Sequence, residues 1–261
     1  MINRLFPLLI ILFACETSTL PKAVKTTDNP QETSKDWFFS EAMTQEIRTG
    51  LTIGVDEKFD TTTVFEHLND DGIKDAVITI NLLERAKLDA SKSKNPAKVA
   101  EMGYAGPYNF IMIFDGATKR FTHPTIIQSS PKSELEIKFC NIESMRFKTI
   151  IVQYRLMNAA FWTWMSLETG KPVKMFQWNV FDKIGEEIPE AQVIEYKPNL
   201  ASTKEDIIIY DGKILNYSPS KIVDKTKYTP IIEKIGAEKY HFFYDPTQHT
   251  YMIPKGKLKE N

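Results

Sequence analysis

Six stretches of this chain are short runs of β-branched and aromatic residues, and turn-forming residues close each one: "DAVITINLL", "YNFIMIFDG", "KTIIVQYRL", "AFWTWMSL", "PVKMFQWNVF" and "EDIIIYDGKIL". Runs of this length and composition suit half-buried or fully buried strands. Because the runs follow one another with short polar breaks, the expected fold is mainly β. It should consist of antiparallel hairpins or a meander forming a sandwich-like or propeller-fragment-like sheet, with one or two short helices. The 261 residues are 42% hydrophobic and 11% aromatic, enough for one domain with a real core. The 33 basic and 34 acidic residues leave a net charge of -1. No field of one sign is available to hold nucleic acid, so no nucleic-acid partner is expected.

Three segments depart from the strand pattern. "DWFFSEAMTQEIRTG" sets Met43 and Ile47 four apart and predicts a short helix ending near Gly50. "LERAKLDASKSKNPAKVAEMGYAGP", residues 83 to 107, is rich in Ala, Lys and Glu, and Asn95-Pro96 interrupts its helical character. A connection this long is often functional or mobile. Near the C-terminus, "YTPIIEKIGAEKYHFFYDP" predicts a short helix and then a last strand. Asp115-Gly116 and Asp211-Gly212 each follow an apolar strand and precede a polar one, which predicts two similar hairpins.

The chain opens "MINRLFPLLIILFAC", with Arg4 as a short positive region before an apolar run from Leu5 to Phe13. Such a run falls well short of the roughly 20 residues a membrane-spanning helix needs. It has the layout of a secretory signal. The end of the run resembles the lipobox of bacterial lipoprotein signals, matched by Leu12, Ala14 and Cys15, while Phe13 fills a slot that usually holds a smaller residue. The resemblance implies cleavage before Cys15 and acylation (palmitate-type chains) of its thiol and new amino group. It places the protein in the bacterial cell envelope, most simply at the outer membrane, with the membrane as partner through acylated Cys15. The organisation is then residues 1–14 as signal peptide, 15–36 as lipidated cysteine and Thr/Ser/Lys/Pro-rich tether, and 37–261 as a single β-rich domain. Cys140 then lacks a disulfide partner in the mature chain and reads as a small hydrophobe in the alternating stretch "LEIKFCNI".

The stretch "FEHLNDDGIKDAVITI", residues 65 to 80, places a tight acidic turn before an apolar strand. It resembles the turn of FG-GAP and VCBS-type repeats. Asn69, Asp71, Gly72 and Asp75 match, and His67 stands where that pattern has its first Asp. The resemblance implies calcium held by Asn69, Asp71 and Asp75, since a hard cation takes several oxygens and alternate residues of a tight loop can point inward together. The alternative is a turn that keeps the Asx and glycine geometry without metal. Calcium is the one cofactor the sequence suggests.

The other unusual stretch is "NAAFWTWMSLETGKPVKMFQWNVF", residues 158 to 181, two aromatic strands around "ETGK". Alternation puts Phe161, Thr163 and Met165 on one face, with Trp162 and Trp164 on the other, and Phe176 and Trp178 together on the partner strand. Two readings stand. Trp162, Trp164 and Trp178 are either core residues of a hairpin buried on both sides or an aromatic platform for a sugar ring or peptide. No nucleophile, metalloprotease or phosphate-loop motif occurs. His241, Asp245 and His249 would meet only if the chain reversed at Asp245-Pro246. The expected function is a lipid-anchored, non-catalytic binding or scaffold module with an envelope protein as partner. The alternatives are an envelope hydrolase acting on glycan or peptide, or a calcium-stabilised carbohydrate-binding or adhesion module.

Overall fold

A computed structural model describes residues 33–142, 146–167, 170–199, 202 and 204–253, with side chains from Phe39 onward. Cys15 and the expected signal peptide lie outside the described residues, as do Glu168 and Thr169 of the "ETGK" turn. The described residues from Ala42 onward form one compact unit. The fold is mainly β, as the punctuated apolar runs require. Among the described residues no helix is long and apolar enough to cross a membrane.

The smaller sheet has five strands: β1 (Asp60–Glu66), β2 (Asp75–Asn81), β3 (Gly106–Asp115), β4 (Arg120–Phe121) and β5 (Thr125–Ser129). They run β1-β2-β3, and β3 pairs with both β4 and β5. The larger sheet is an eight-stranded antiparallel meander. It contains β6 (Glu136–Cys140), β7 (Thr149–Leu156), β8 (Ala159–Ser166), β9 (Val173–Asp182), β10 (Glu190–Lys197), β11 (Asp206–Ile214), β12 (Ile232–Asp245) and β13 (Thr250–Met252). In this larger sheet strands adjacent in sequence are adjacent in space, the connection pattern that short loops favour.

Helix α1 spans Thr33–Gly50 and ends where expected. The insert holds two helices, α2 (Leu83–Ser91) and α3 (Pro96–Glu101). Asn95-Pro96 is the start of the second helix. The Asn95 side chain accepts from the Lys98 N–H at 3.1 Å, and Pro96 fills a first-turn position where no N–H is needed.

Two expectations are corrected. The segment from Ile232 to Asp245 contains no helix and is one 14-residue strand, which pairs with β11 from Ile232 to Phe242 and with β13 beyond it. Asp211-Gly212 is no hairpin turn either. Both residues lie inside β11 and pair with Ile235 and Lys234. The strand runs on because Ile214 is still buried. Glycine is needed there because a Cβ at Gly212 would meet the Ile232 side chain at 2.5 Å and the Ala191 carbonyl at 3.2 Å.

The apolar alternation of β7 and β8 builds two cores from one pair of strands. Ile150, Val152, Tyr154 and Met165 pack on Val77, Ile111, Ile113 and Ile127 of the smaller sheet. From the opposite face, Ile151 and Trp164 pack with Met175, Phe176, Ile207, Ile209, Phe242 and Tyr251. The larger sheet therefore folds back on itself, and the Thr250 hydroxyl donates to the Met175 carbonyl at 2.7 Å, holding β13 against β9. Each such side chain contributes about 1.5–3 kcal/mol by burial. Ile150, wholly buried between the sheets, should therefore be costly to truncate. Ile150→Ala is expected to lower unfolding free energy by about 2–5 kcal/mol in urea titration. The same truncation at fully exposed Val223 should change it by less than about 0.5 kcal/mol.

Candidate functional site

The acidic turn is built by successive Asx turns. The Asn69 side-chain oxygen accepts from the Asp71 N–H at 2.9 Å, and Asp71 accepts from the Ile73 N–H at 2.7 Å. Gly72 takes the positive φ of 76° that completes the reversal. Asp75, at the first position of β2, is 2% exposed. One carboxylate oxygen accepts from the Leu68 N–H at 3.2 Å and the other from the Gly116 N–H at 2.9 Å. The side chain thus ties the turn to the loop after β3. That approach is too close for a side chain at Gly116, whose Cβ would fall 2.0 Å from the Lys74 carbonyl oxygen.

This loop brings in a residue the sequence reading missed. Asp115 accepts from the Ala117 and Thr118 N–H groups at 2.9 Å each. Asp71, Asp75 and Asp115 each offer an oxygen, all within 4.8 Å of one another. The Asn69 side-chain oxygen is already engaged by the Asp71 N–H. Burial pushes the Asp75 carboxyl up, and the Asp71 and Asp115 carboxylates push it the same way, against the two N–H donors. The Asp115 carboxyl is held below its ordinary value, first by the Thr118 N–H. Three carboxylate oxygens and no nitrogen or sulfur make a hard donor set, which fits calcium or magnesium.

The aromatic hairpin has a defined register. Trp162 faces Trp178 across β8 and β9, and Trp164 faces Phe176. Trp164 is 0% exposed and donates its indole N–H to the Tyr196 hydroxyl at 2.8 Å. It belongs to the core and offers no face to solvent. Burial drives the Tyr196 hydroxyl far above the ordinary phenol range. Trp162 and Trp178 are half-buried. The Lys138 ammonium lies 5.6 Å over the Trp162 ring, and Trp178 stacks on Phe176 at 5.8 Å. The Trp178 N–H donates to the Gln192 side chain across the gap between β9 and β10.

That gap is an opening in the larger sheet. β9 and β10 pair only through Phe181–Ala191 and Asp182–Glu190. Beyond these the strands part, and a cavity of ≈ 270 Å³ lies between them, lined by Phe161, Gln177, Trp178, Asn179 and Gln192 among others. A second cavity of ≈ 360 Å³ lies where β5 faces β7 to β9, and Phe161 and Gln177 line both. The Tyr154 and Phe161 rings stack at 5.8 Å along this wall. Two register shifts between β8 and β9, at Ala160/Phe161 and Trp164/Met165, flank the shared stretch, a usual device for re-aiming side chains beside a site.

The C-terminal histidines do not converge. His241 lies between Asp206 at 2.9 Å and Glu238 at 3.1 Å, and His249 contacts the Tyr244 hydroxyl at 3.2 Å. Asp245 caps its own turn through the Thr247 and Gln248 N–H groups.

Comparison with protein-family models, curated proteins and solved structures found no match. The clearest local test concerns the buried carboxylate. In Asp75→Asn one oxygen becomes an amide that cannot accept from Leu68 or Gly116. The expected loss is about 1–3 kcal/mol of stability, read by thermal or urea unfolding. An unchanged midpoint would remove Asp75 as the stitch between the two loops.

Proposed function

We propose that this chain is a lipid-anchored, non-catalytic binding module of the bacterial cell envelope, held at the outer membrane by acyl groups on Cys15. The observation that carries the binding role is the pair of adjoining cavities over β8 and β9, which share Phe161 and Gln177. A concave surface with aromatic walls and a few polar side chains is the usual form of a ligand site. The membrane attachment rests on the lipobox-like Leu12, Ala14 and Cys15. Thioether and amide acylation would hold the protein firmly, since each buried CH₂ contributes about 0.8 kcal/mol and two or more chains act together.

A second reading concerns the role of calcium within this module. Asp71, Asp75 and Asp115 come from two loops, so an ion held by them would clamp the turn before β2 to the loop after β3. It would also relieve the cost of ionising Asp75. A carboxyl raised in the folded state loses stability as pH climbs from the ordinary Asp range through its raised pKa. Calcium should therefore raise the melting temperature at neutral pH, and the increment should shrink as pH falls through that raised value. A calcium-independent melt at neutral pH would retire the ion.

Two experiments test the main reading. Cys15→Ser should move the protein from the detergent phase to the aqueous phase on Triton X-114 partition, and unchanged partition would refute the anchor. Affinity capture of the native lipoprotein from detergent extract should recover an envelope component, with at least tenfold less in Gln177→Ala, an exposed position whose loss spares the core. Recovery of the bait alone would overturn the binding role.

A further inference from the structure

We infer that the groove over β8 and β9 takes a neutral glycan, with a pyranose ring against Phe161 and carboxamides reading its hydroxyl groups. The inference rests on the binding-module reading above and names the ligand class for that groove.

The first argument is charge. The carboxylates beside the β9–β10 cavity already have partners. The Lys183 ammonium pairs with Glu190. Asp182 accepts from the Lys183 N–H at 2.6 Å and from the Asn179 amide at 3.2 Å. In the adjoining cavity the Lys174 ammonium donates to the Gln177 side chain at 3.3 Å. Taken together, Asp182, Glu190 and Lys174 of the two linings and the Lys183 partner of Glu190 sum to no net charge, and a neutral ligand leaves these pairs intact.

The second argument is the chemistry of the walls. Phe161, stacked on Tyr154, is half-buried and shared by both cavities. A sugar ring has an apolar C–H face that packs on an aromatic face, while its rim is a set of hydroxyl groups that both donate and accept. Gln128, Gln177, Asn179 and Gln192 line the two cavities. A carboxamide offers two donors and an acceptor in one plane, which suits neighbouring hydroxyls. The Asn179 side-chain oxygen is buried with no hydrogen-bond partner among the described residues. Such an atom is costly and calls for a donor.

The third argument is length. Two cavities of ≈ 270 and ≈ 360 Å³ meeting at Phe161 and Gln177 form two subsites, which suits a chain of sugar rings better than one small molecule.

The test uses the full mature chain and an array of neutral and acidic oligosaccharides, with the strongest neutral binder then titrated by calorimetry. The expected result is binding of neutral pyranose oligomers, weakened at least tenfold by Phe161→Ala and by Gln177→Ala. Gln177→Ala guards against misreading a folding defect, since it should melt with the parent. Binding confined to acidic glycans, binding untouched by Gln177→Ala, or an array with no binder each overturns the glycan assignment. If the array is empty while capture of an envelope protein still depends on Gln177, the groove holds a polypeptide and the binding module stands. If both fail, the binding module falls as well.

Discussion

β7 and β8 are apolar and mostly buried on both faces, and the rest of the structure follows from that. Ile150 and Val152 point into one core, Ile151 into another, and on β8 Trp164 and Met165 divide in the same way. A strand pair that is apolar on both sides must be covered on both sides. The smaller sheet covers one side. The other is covered by the far strands of the same sheet, which curl round until β13 reaches β9.

That curl explains the opening. A sheet of this many strands cannot both stay flat over the smaller sheet and wrap its own outer strands against Trp164. The sheet parts where β9 meets β10, whose ladder is two residue pairs, and two register shifts lie on the side of β9 facing β8. The resulting gap is bridged by side chains, with the Trp178 N–H donating to Gln192 where a backbone ladder would otherwise run. The site proposed for ligand lies where backbone pairing had to stop.

Much of the fold was legible because burial on both faces leaves continuous apolar runs. The turn before β2 was legible too, since Asn69, Asp71, Gly72 and Asp75 encode its hydrogen bonds locally. What stayed hidden was nonlocal. Asp115 joins Asp71 and Asp75 only because β2 and β3 pair with Ala76 opposite Phe114. Nothing near Asp211-Gly212 announces that β12 continues alongside it. The β7–β8 connection is a two-residue turn with Met157 at a φ of 56°, which methionine does not signal. The tryptophans divided according to register, which could not be read from the turn sequence, so Trp164 went inside while Trp178 reached the gap.

The central claim is a doubly buried hairpin beside a sheet that opens between β9 and β10. Native-state hydrogen exchange tests it most directly, because amide protection reports local opening strand by strand. The account predicts the slowest exchange in β7 and β8, near the global unfolding limit, and much faster exchange along β10 from Gln192 to Tyr196 wherever the amide faces the gap. Uniform slow exchange across β9 and β10, with protection equal to that of β7, would mean the ladder is continuous and would contradict the account.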